Sequence, residues 1–380
     1  MTRPGQRSRT NRARCRRADS ARFSAADAPA RQGSALRTRR LGAVQRCGRA
    51  DSAGFSAADA PTRRGLGQDG SVSLTLPPGL SGQAALGQDW ADWLDRLPRL
   101  AVEVLEEWGL QRDGDRLWHG AASLVMPVRT DAGGPAVLKV AFDGDDESLH
   151  EPLALQHWGG RGAVRLLRAD PGRRALLLER LHREDLTDLW DLDACEVVAG
   201  LYGRLHRPAM PQLRPVTSYV GRWLDALAAA GSDLPLPRRM VQQALALGRD
   251  LVADPASVGR IVHGDLHYEN VLAADREPWL AIDPKPMSGD PHYEPAPMLW
   301  NRWDEVVASG DVRAATRARF HALVDAALLD EDRARDWVVV RSVVNAHWSV
   351  QDAARAGRAL SAQEGSRITM CLAVAKAVQD

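Results

Sequence analysis

In the segment Ile261-Val-His-Gly-Asp-Leu-His-Tyr-Glu-Asn270 a carboxylate, Asp265, is followed at an Asp-x-x-x-x-Asn interval by a carboxamide, Asn270, and a second carboxylate, Asp283, ends the run Trp279-Leu-Ala-Ile282. A single Asp after a strand is most often a turn or capping residue, so the three together carry the reading. Phosphoryl transfer from a nucleotide asks a protein for such groups: an acid that orients the attacking hydroxyl, and hard oxygen ligands for the magnesium on the phosphates. Mg²⁺ keeps much of its water, so one Asn and one Asp beside phosphate oxygens suffice. On this reading Asp265 is the base, and Asn270 and Asp283 hold the metal. His263 and His267 are four apart, but the zinc-protease pattern requires Glu directly after the first His, where Gly264 stands. His263 is instead read as a hydrogen-bonding residue that holds the loop.

These groups need elements to position them. A hairpin of Val271–Ala274 and Trp279–Ile282, turned through Asp275-Arg-Glu-Pro278, returns Asp283 to the side of Asn270. Upstream, Ala122–Val128 and Ala136–Ala141 predict a second hairpin, with Lys139 set among apolar neighbours. A buried ammonium needs a partner. A helix predicted over Asp146–Trp158 offers Glu151 as first choice and Glu147 as second; the alternative is an edge-strand lysine reaching water. A strand lysine held by a helical glutamate and touching nucleotide phosphates is the arrangement kinases use. Strands at Ala163–Leu167 and Ala175–Leu178 follow, and then Glu179-Arg-Leu181, read as a hinge whose backbone could bind adenine.

Before these strands, Trp90–Trp108 has a helical apolar period with Pro98 as a break or a new start. After the hinge, helical stripes recur at Asp191–His206, Val216–Ala230, Arg238–Ala253, Met298–Val307, Arg313–Leu329, Ala334–Ala354 and Ala362–Val378. Trp300, Trp303, Trp337 and Trp348 are read as core.

The 380 residues suffice for two packed lobes. Residues 1–70 hold 16 Arg and 5 Asp, leaving 34 basic and 44 acidic residues in the remainder. A basic tail thus precedes an acidic body, which suits a cationic small molecule better than a nucleic-acid backbone. Residues 1 to about 80 lack periodicity and are expected to be disordered. Arg14–Pro29 recurs at Arg46–Pro61 with two changes, consistent with a tandem duplication in the coding DNA or with an upstream start site that adds a tail. The tail's composition also resembles an organelle transit peptide. Gly65-Leu-Gly-Gln-Asp-Gly70 matches a dinucleotide-binding pattern but no strand precedes it, and no P-loop signature occurs. Four scattered cysteines (Cys15, Cys47, Cys195, Cys371) indicate neither zinc site nor disulfide framework, which with the absence of a secretion signal or spanning segment predicts a cytoplasmic protein.

The segments Leu138-Lys139, His263-Gly-Asp265-Leu-His-Tyr-Glu-Asn270-Val-Leu and Trp279-Leu-Ala-Ile-Asp283-Pro closely resemble the aminoglycoside phosphotransferases, in particular their streptomycin 6-kinase and hydroxyurea-resistance branch. The resemblance spans about residues 85–380. It implies an α+β, protein-kinase-like bilobal fold: a small β-rich N-lobe over 81–181, a mostly helical C-lobe over 182–380, and a tail before them. It also implies ATP and Mg²⁺ as cofactors, with transfer of the γ-phosphate to an alcohol. Carried over by position, Asp265 is the base, Asn270 and Asp283 bind metal, and Lys139, with Glu151 beside it, contacts phosphate. Asp-Pro-Lys285 in place of Asp-Phe-Gly, and the absence of Ala-Pro-Glu, agree with a small-molecule acceptor. Lys285 is placed to meet a phosphate or, equally, a neighbouring carboxylate. The phosphate-covering loop falls at Trp118–Ser123 without the usual glycines. Asp290, Glu294, Asp304 and Glu305 would suit a guanidinium-bearing cyclitol such as that of streptomycin, or else cap solvated helix starts; hydroxyurea would need none of them. No membrane or specific nucleic-acid partner is expected; the alternatives to this acceptor are a kinase of another small alcohol and, outside catalysis, a nucleotide-binding protein acting through its basic tail.

Overall fold

The computed structural model describes residues 74–231, 234–355 and 357–379. The tail up to position 73, with its duplicated segment and the Gly65–Gly70 pattern, lies outside the described residues. Residues 74–80, assigned above to the tail, belong to the fold. Leu74 and Leu80 are buried, the latter in the short helix α1 (Pro78–Ser81). Folded chain therefore begins by position 74 instead of 81.

An antiparallel sheet forms the first half. Its order is β1 (Gln111–Arg112), β3 (Ser123–Arg129), β4 (Pro135–Ala141), β6 (Ala175–Glu179) and β5 (Leu166–Asp170), with β2 (Trp118–His119) also paired to β3. Period-two alternation gives the sheet two apolar faces. Leu138 and Val140 pack with Trp93, Leu97, Ala101 and Val104 of α2 (Gln88–Glu107). Leu176 and Leu178 pack on the other side with Ala154, Leu155 and Trp158 of α3 (Glu151–Trp158). Pro98 neither breaks nor restarts α2, which runs through it. Proline removes one backbone hydrogen bond there, and the buried stripe on both sides outweighs the loss. Helix α3 starts at Glu151 rather than Asp146, because Pro152 is tolerated only in a first turn.

The second half is mainly helical: α4 (Asp191–Leu205), α5 (Val216–Ala229), α6 (Arg238–Ala253), α7 (Ala296–Trp300), α8 (Trp303–Ala308), α9 (Val312–Ala327), α10 (Glu331–Arg355) and α11 (Ala362–Ala377). The expected single helix over Met298–Val307 is two, parted where Arg302 takes a left-handed backbone, φ 51°. Helix α10 is buried over most of its length, from Ala334 to Ser349, and anchors this lobe. No helix among the described residues is long and apolar enough to cross a membrane.

Two small ribbons carry the site. Strand β7 (Arg260–Val262) pairs with β10 (Met287–Gly289), a strand not anticipated from the sequence; β8 (Val271–Ala273) pairs with β9 (Trp279–Ala281). The second ribbon is flanked by the sheet lobe on one edge and by the first residues past the crossover on the other. Ala281 bridges Ala163 on one side, while on the other Leu272 bridges Asp185 and the His182 N–H donates to the Ala273 carbonyl at 3.0 Å. Arg276, in the turn of this ribbon, donates to the Glu179 carboxylate and to the carbonyls of Gly160 and Ala163.

Candidate active site

The loop from His263 to Asn270 leaves β7 and is braced from several directions. The Lys285 N–H donates to the His263 carbonyl at 2.8 Å. Gly264 has φ 82°, and a Cβ there would lie 2.5 Å from the Lys285 carbonyl oxygen, so both conformation and space require glycine. The buried Glu294 carboxylate accepts the N–H groups of His263 (2.5 Å) and Gly264 (3.1 Å). Burial opposes its charge, but these bonds and His206 keep it ionised below the usual carboxylate range. Glu294 is thus a loop brace, not the acceptor ligand proposed from the sequence.

The His263 ring lies over Trp158, and its Nε2–H donates to the Ile282 carbonyl at 3.0 Å while Nδ1 accepts the Asp265 N–H at 3.3 Å. Burial pushes its pKa down to about 4, so the ring is neutral near pH 7 and serves as a strut. The Ile282 N–H donates to the Asn270 carbonyl at 2.9 Å, continuing the β8–β9 ladder and setting Asp283 beside Asn270.

Asn270 is buried. Its Nδ2 donates to the Asp265 carbonyl at 2.9 Å, which leaves Oδ1 as a buried acceptor with no partner. An orphaned carboxamide oxygen next to an ionised carboxylate suits a hard divalent cation. Asp283 has φ 54°, a strained left-handed conformation for a non-glycine residue. Among the described residues no group of three His, Cys, Asp or Glu side chains gathers for a metal. The Asn270 carboxamide oxygen and the Asp283 carboxylate are hard oxygen donors of the kind that fit Mg²⁺, which asks little of the protein.

Lys139 lies on β4, an interior strand, which removes the edge-strand alternative. Its Nζ donates to Glu151 Oε1 and Oε2 (2.8 and 2.6 Å) and to Asp283 Oδ1 (2.5 Å). Burial disfavours its charge, but Asp283 and Glu151 outweigh that and raise its pKa. Glu151, the first-choice partner, is the partner found. Burial also works against charge on Asp283, yet Lys139 and Lys285 hold its carboxyl far below the usual range. Lys285 Nζ lies 3.4 and 3.3 Å from the two Asp283 oxygens.

Beside Asp265 opens a pocket lined by Glu147, Arg214, Tyr219, Lys285, Tyr293, Trp300, Arg341 and Trp348. Glu147, the second choice for Lys139, faces this pocket instead and accepts a hydrogen bond from the Tyr219 hydroxyl at 2.6 Å. Burial pushes its pKa up, with Tyr219 opposing. Trp300 and Trp348 are buried in the core, as read from the sequence, and also form walls of this pocket. Among the lining residues the sequence marks Asp265 and Lys285 as site groups and points Glu147 elsewhere; that a core tryptophan also walls a pocket leaves no mark in its helical spacing.

Three further expectations are corrected. Asp290 is buried away from this pocket, and its carboxylate is consumed by His292, Trp337 and Arg333. Asp304 and Glu305 are exposed in the first turn of α8, where Glu305 pairs with Arg302. Glu179 spends its N–H on the Arg165 carbonyl and its carboxylate on the Arg165 N–H and Arg276, so it clasps the lobes; Leu181 packs half-buried on the C-lobe core.

A sheet-borne lysine meeting a loop that presents Asp, Asn and Asp across a lobe boundary makes this a phosphotransferase of the kinase-like class. Comparison with known proteins narrows the class. A family described as aminoglycoside/hydroxyurea antibiotic resistance kinase matches residues 107–353, and the chain belongs to that family. It is 40% identical over 290 residues to streptomycin 6-kinase of Streptomyces glaucescens, covering 75% of this chain and 93% of that one. It is also 40% identical over 268 residues to hydroxyurea phosphotransferase of Kitasatospora aureofaciens, covering 69% and 75% respectively. Among solved structures, amicoumacin kinase hAmiN shares the fold, with TM-score 0.52 at 14% identity over 75% of this chain and 96% of that one.

Proposed function

We propose that the protein moves the γ-phosphate of ATP to a hydroxyl of a cationic small molecule in the cytoplasm, the 6-hydroxyl of streptomycin being the first candidate. The observation that carries this reading is that Asp265 and Glu147 line one pocket. Glu147 is a half-buried carboxylate that accepts from the neutral Tyr219 hydroxyl, with Lys285 and Arg214 as its charged neighbours, and it offers a cationic acceptor a second carboxylate in the pocket of Asp265. A guanidinium-bearing ring against Glu147, between the walls of Tyr219, Tyr293 and Trp348, puts a ring hydroxyl within the pocket of Asp265.

In the reaction the acceptor oxygen bonds to the γ-phosphorus as the bond to the β-phosphate oxygen breaks, and Asp265 takes the hydroxyl proton. Lys139, oriented by Glu151, binds the phosphates, and the backbone at Leu181, in the crossover between lobes, is assigned to the adenine ring. Asn270 and Asp283 would hold Mg²⁺, which supplies neutralisation of phosphate charge. A second reading, hydroxyurea as acceptor, draws on the relative from Kitasatospora aureofaciens and needs no contact with Glu147.

Purified protein incubated with Mg²⁺, ATP and a panel of streptomycin, other aminoglycosides, cyclitols and hydroxyurea tests both. The first reading expects ADP release with streptomycin and a phosphorus resonance coupled to the proton at position 6. Turnover of hydroxyurea alone replaces it with the second, and turnover of neither rejects both acceptors.

A further inference from the structure

The chain has three lysines, and two of them, Lys139 and Lys285, stand in the site. Lys139 is locked between Glu151 and Asp283. Lys285 is placed differently. It touches the Asp283 carboxylate at 3.3 Å and also lines the acceptor pocket with Asp265 and Glu147. One ammonium therefore borders both the ligand assigned to the metal and the group assigned to the hydroxyl.

Its backbone is fixed to match. The Lys285 N–H is bonded to the His263 carbonyl, and Gly264 has given up its side chain and ordinary φ so that the Lys285 carbonyl can approach. The contact with Asp283 is longer than the 2.5 Å contact made by Lys139, so the Lys285 ammonium is held by the weaker of the two pairings.

We infer that Lys285 is a catalytic residue that contacts the phosphoryl group in transit between nucleotide and acceptor, a deepening that rests on the kinase reading of this site. The transferring group spreads negative charge over its equatorial oxygens, and a cation fixed beside its path stabilises that charge more than the charge of bound ATP. Atoms balance without further reagents. The O–P bond to the acceptor forms, the P–O bond to the ADP leaving group breaks and its electron pair leaves with ADP, and the acceptor proton passes to Asp265. Lys285 stays protonated throughout. The alternative role is neutralisation of Asp283 alone.

The two roles separate in Lys285→Met and Lys285→Arg. Calorimetry measures ADP binding at saturating Mg²⁺ with and without aluminium fluoride, which mimics the group in transit; phosphate transfer to the accepted alcohol, or ATP hydrolysis where no alcohol is accepted, gives the rate. Lys285→Met is expected to bind Mg·ADP within about threefold of the native protein, to lose about a hundredfold of the affinity that aluminium fluoride adds, and to lose about a hundredfold or more in kcat. Lys285→Arg is expected to recover part of both. Retention of the fluoride enhancement and of kcat in the Met variant, with only a lowered Mg²⁺ requirement, would overturn the inference and assign Lys285 to Asp283. Lys285→Gln repeats the measurement should the Met variant melt early. A native protein showing neither transfer, hydrolysis nor fluoride enhancement overturns the kinase reading itself, and this inference with it.

Discussion

Asp283 and Asp290 are seven residues apart, both ionised against cationic partners, and both were marked in the sequence as site carboxylates. Their surroundings differ in one respect. Around Asp290 every strong donor is consumed: its oxygens take the His292 N–H (3.0 Å), His292 Nδ1 (2.5 Å), Trp337 Nε1 (2.7 Å) and Arg333 Nε (2.6 Å), and Arg333 goes on to Asp254 and Ser257. Around Asp283 the polar groups are incomplete, with Asn270 Oδ1 unpartnered and a strained backbone under the carboxylate. A saturated buried charge network holds a fold together; an unsaturated one is kept for a ligand. Sequence supplies the charges in both cases and does not supply the saturation.

Four variants or conditions can break that contrast, in falling order of effect. Asp265→Asn should cut kcat by about 10²–10⁴ with the melting temperature unchanged, read by coupled ADP assay and calorimetry. Native-like turnover there would remove the assigned base. Asp290→Ala should do the reverse: about 3 kcal/mol of stability lost in urea titration, from uncompensated Arg333 and Trp337, with kcat of the folded protein intact. A kcat loss at unchanged stability would move Asp290 into the site. Glu147→Gln should raise KM about 10- to 100-fold for a cationic acceptor and leave an uncharged one unaffected.

The smallest effect concerns pH. His263 and His267 are both pushed down by burial, to about 4 and about 3, from 6.5 in the unfolded chain. The unfolded state therefore binds more protons below 6.5, so the contribution of these rings is full above that value and is lost as pH falls toward their folded values. The urea midpoint should fall between pH 6.5 and 4, and His267→Asn, which removes one such proton, should flatten the slope.

Much of the site could be read from the chain because it is local. The Asp265, Asn270 and Asp283 spacing and the β8–β9 pairing lie within 19 residues, and the observed register, Val271 opposite Ala281, follows the apolar alternation. The Lys139–Glu151 pair was also legible, since one buried lysine among few demanded a nearby acid. What failed is non-local. Glu147 and Glu294 differ in role only because α5 brings Tyr219 to one and the loop after β7 brings two N–H groups to the other. Arg302 broke a helix that periodicity made continuous, its guanidinium lying 4.9 Å above the Tyr268 ring and bonded to the Leu189 carbonyl. No window around residue 302 contains that information.

The ribbon that carries Asn270 and Asp283 is joined to Ala163 of the sheet lobe along one edge and to His182 and Asp185, just past the crossover, along the other, and Arg276 fastens its turn to Glu179. Covalent connection between the lobes passes at one edge only. A second, non-covalent joint beside the first resists sliding and twisting of one lobe on the other. The carboxylate assigned to the metal belongs to the same joint, because Lys139 of the sheet lobe bonds Asp283 at 2.5 Å, so the seam that holds the lobes together is also the seat of the chemistry.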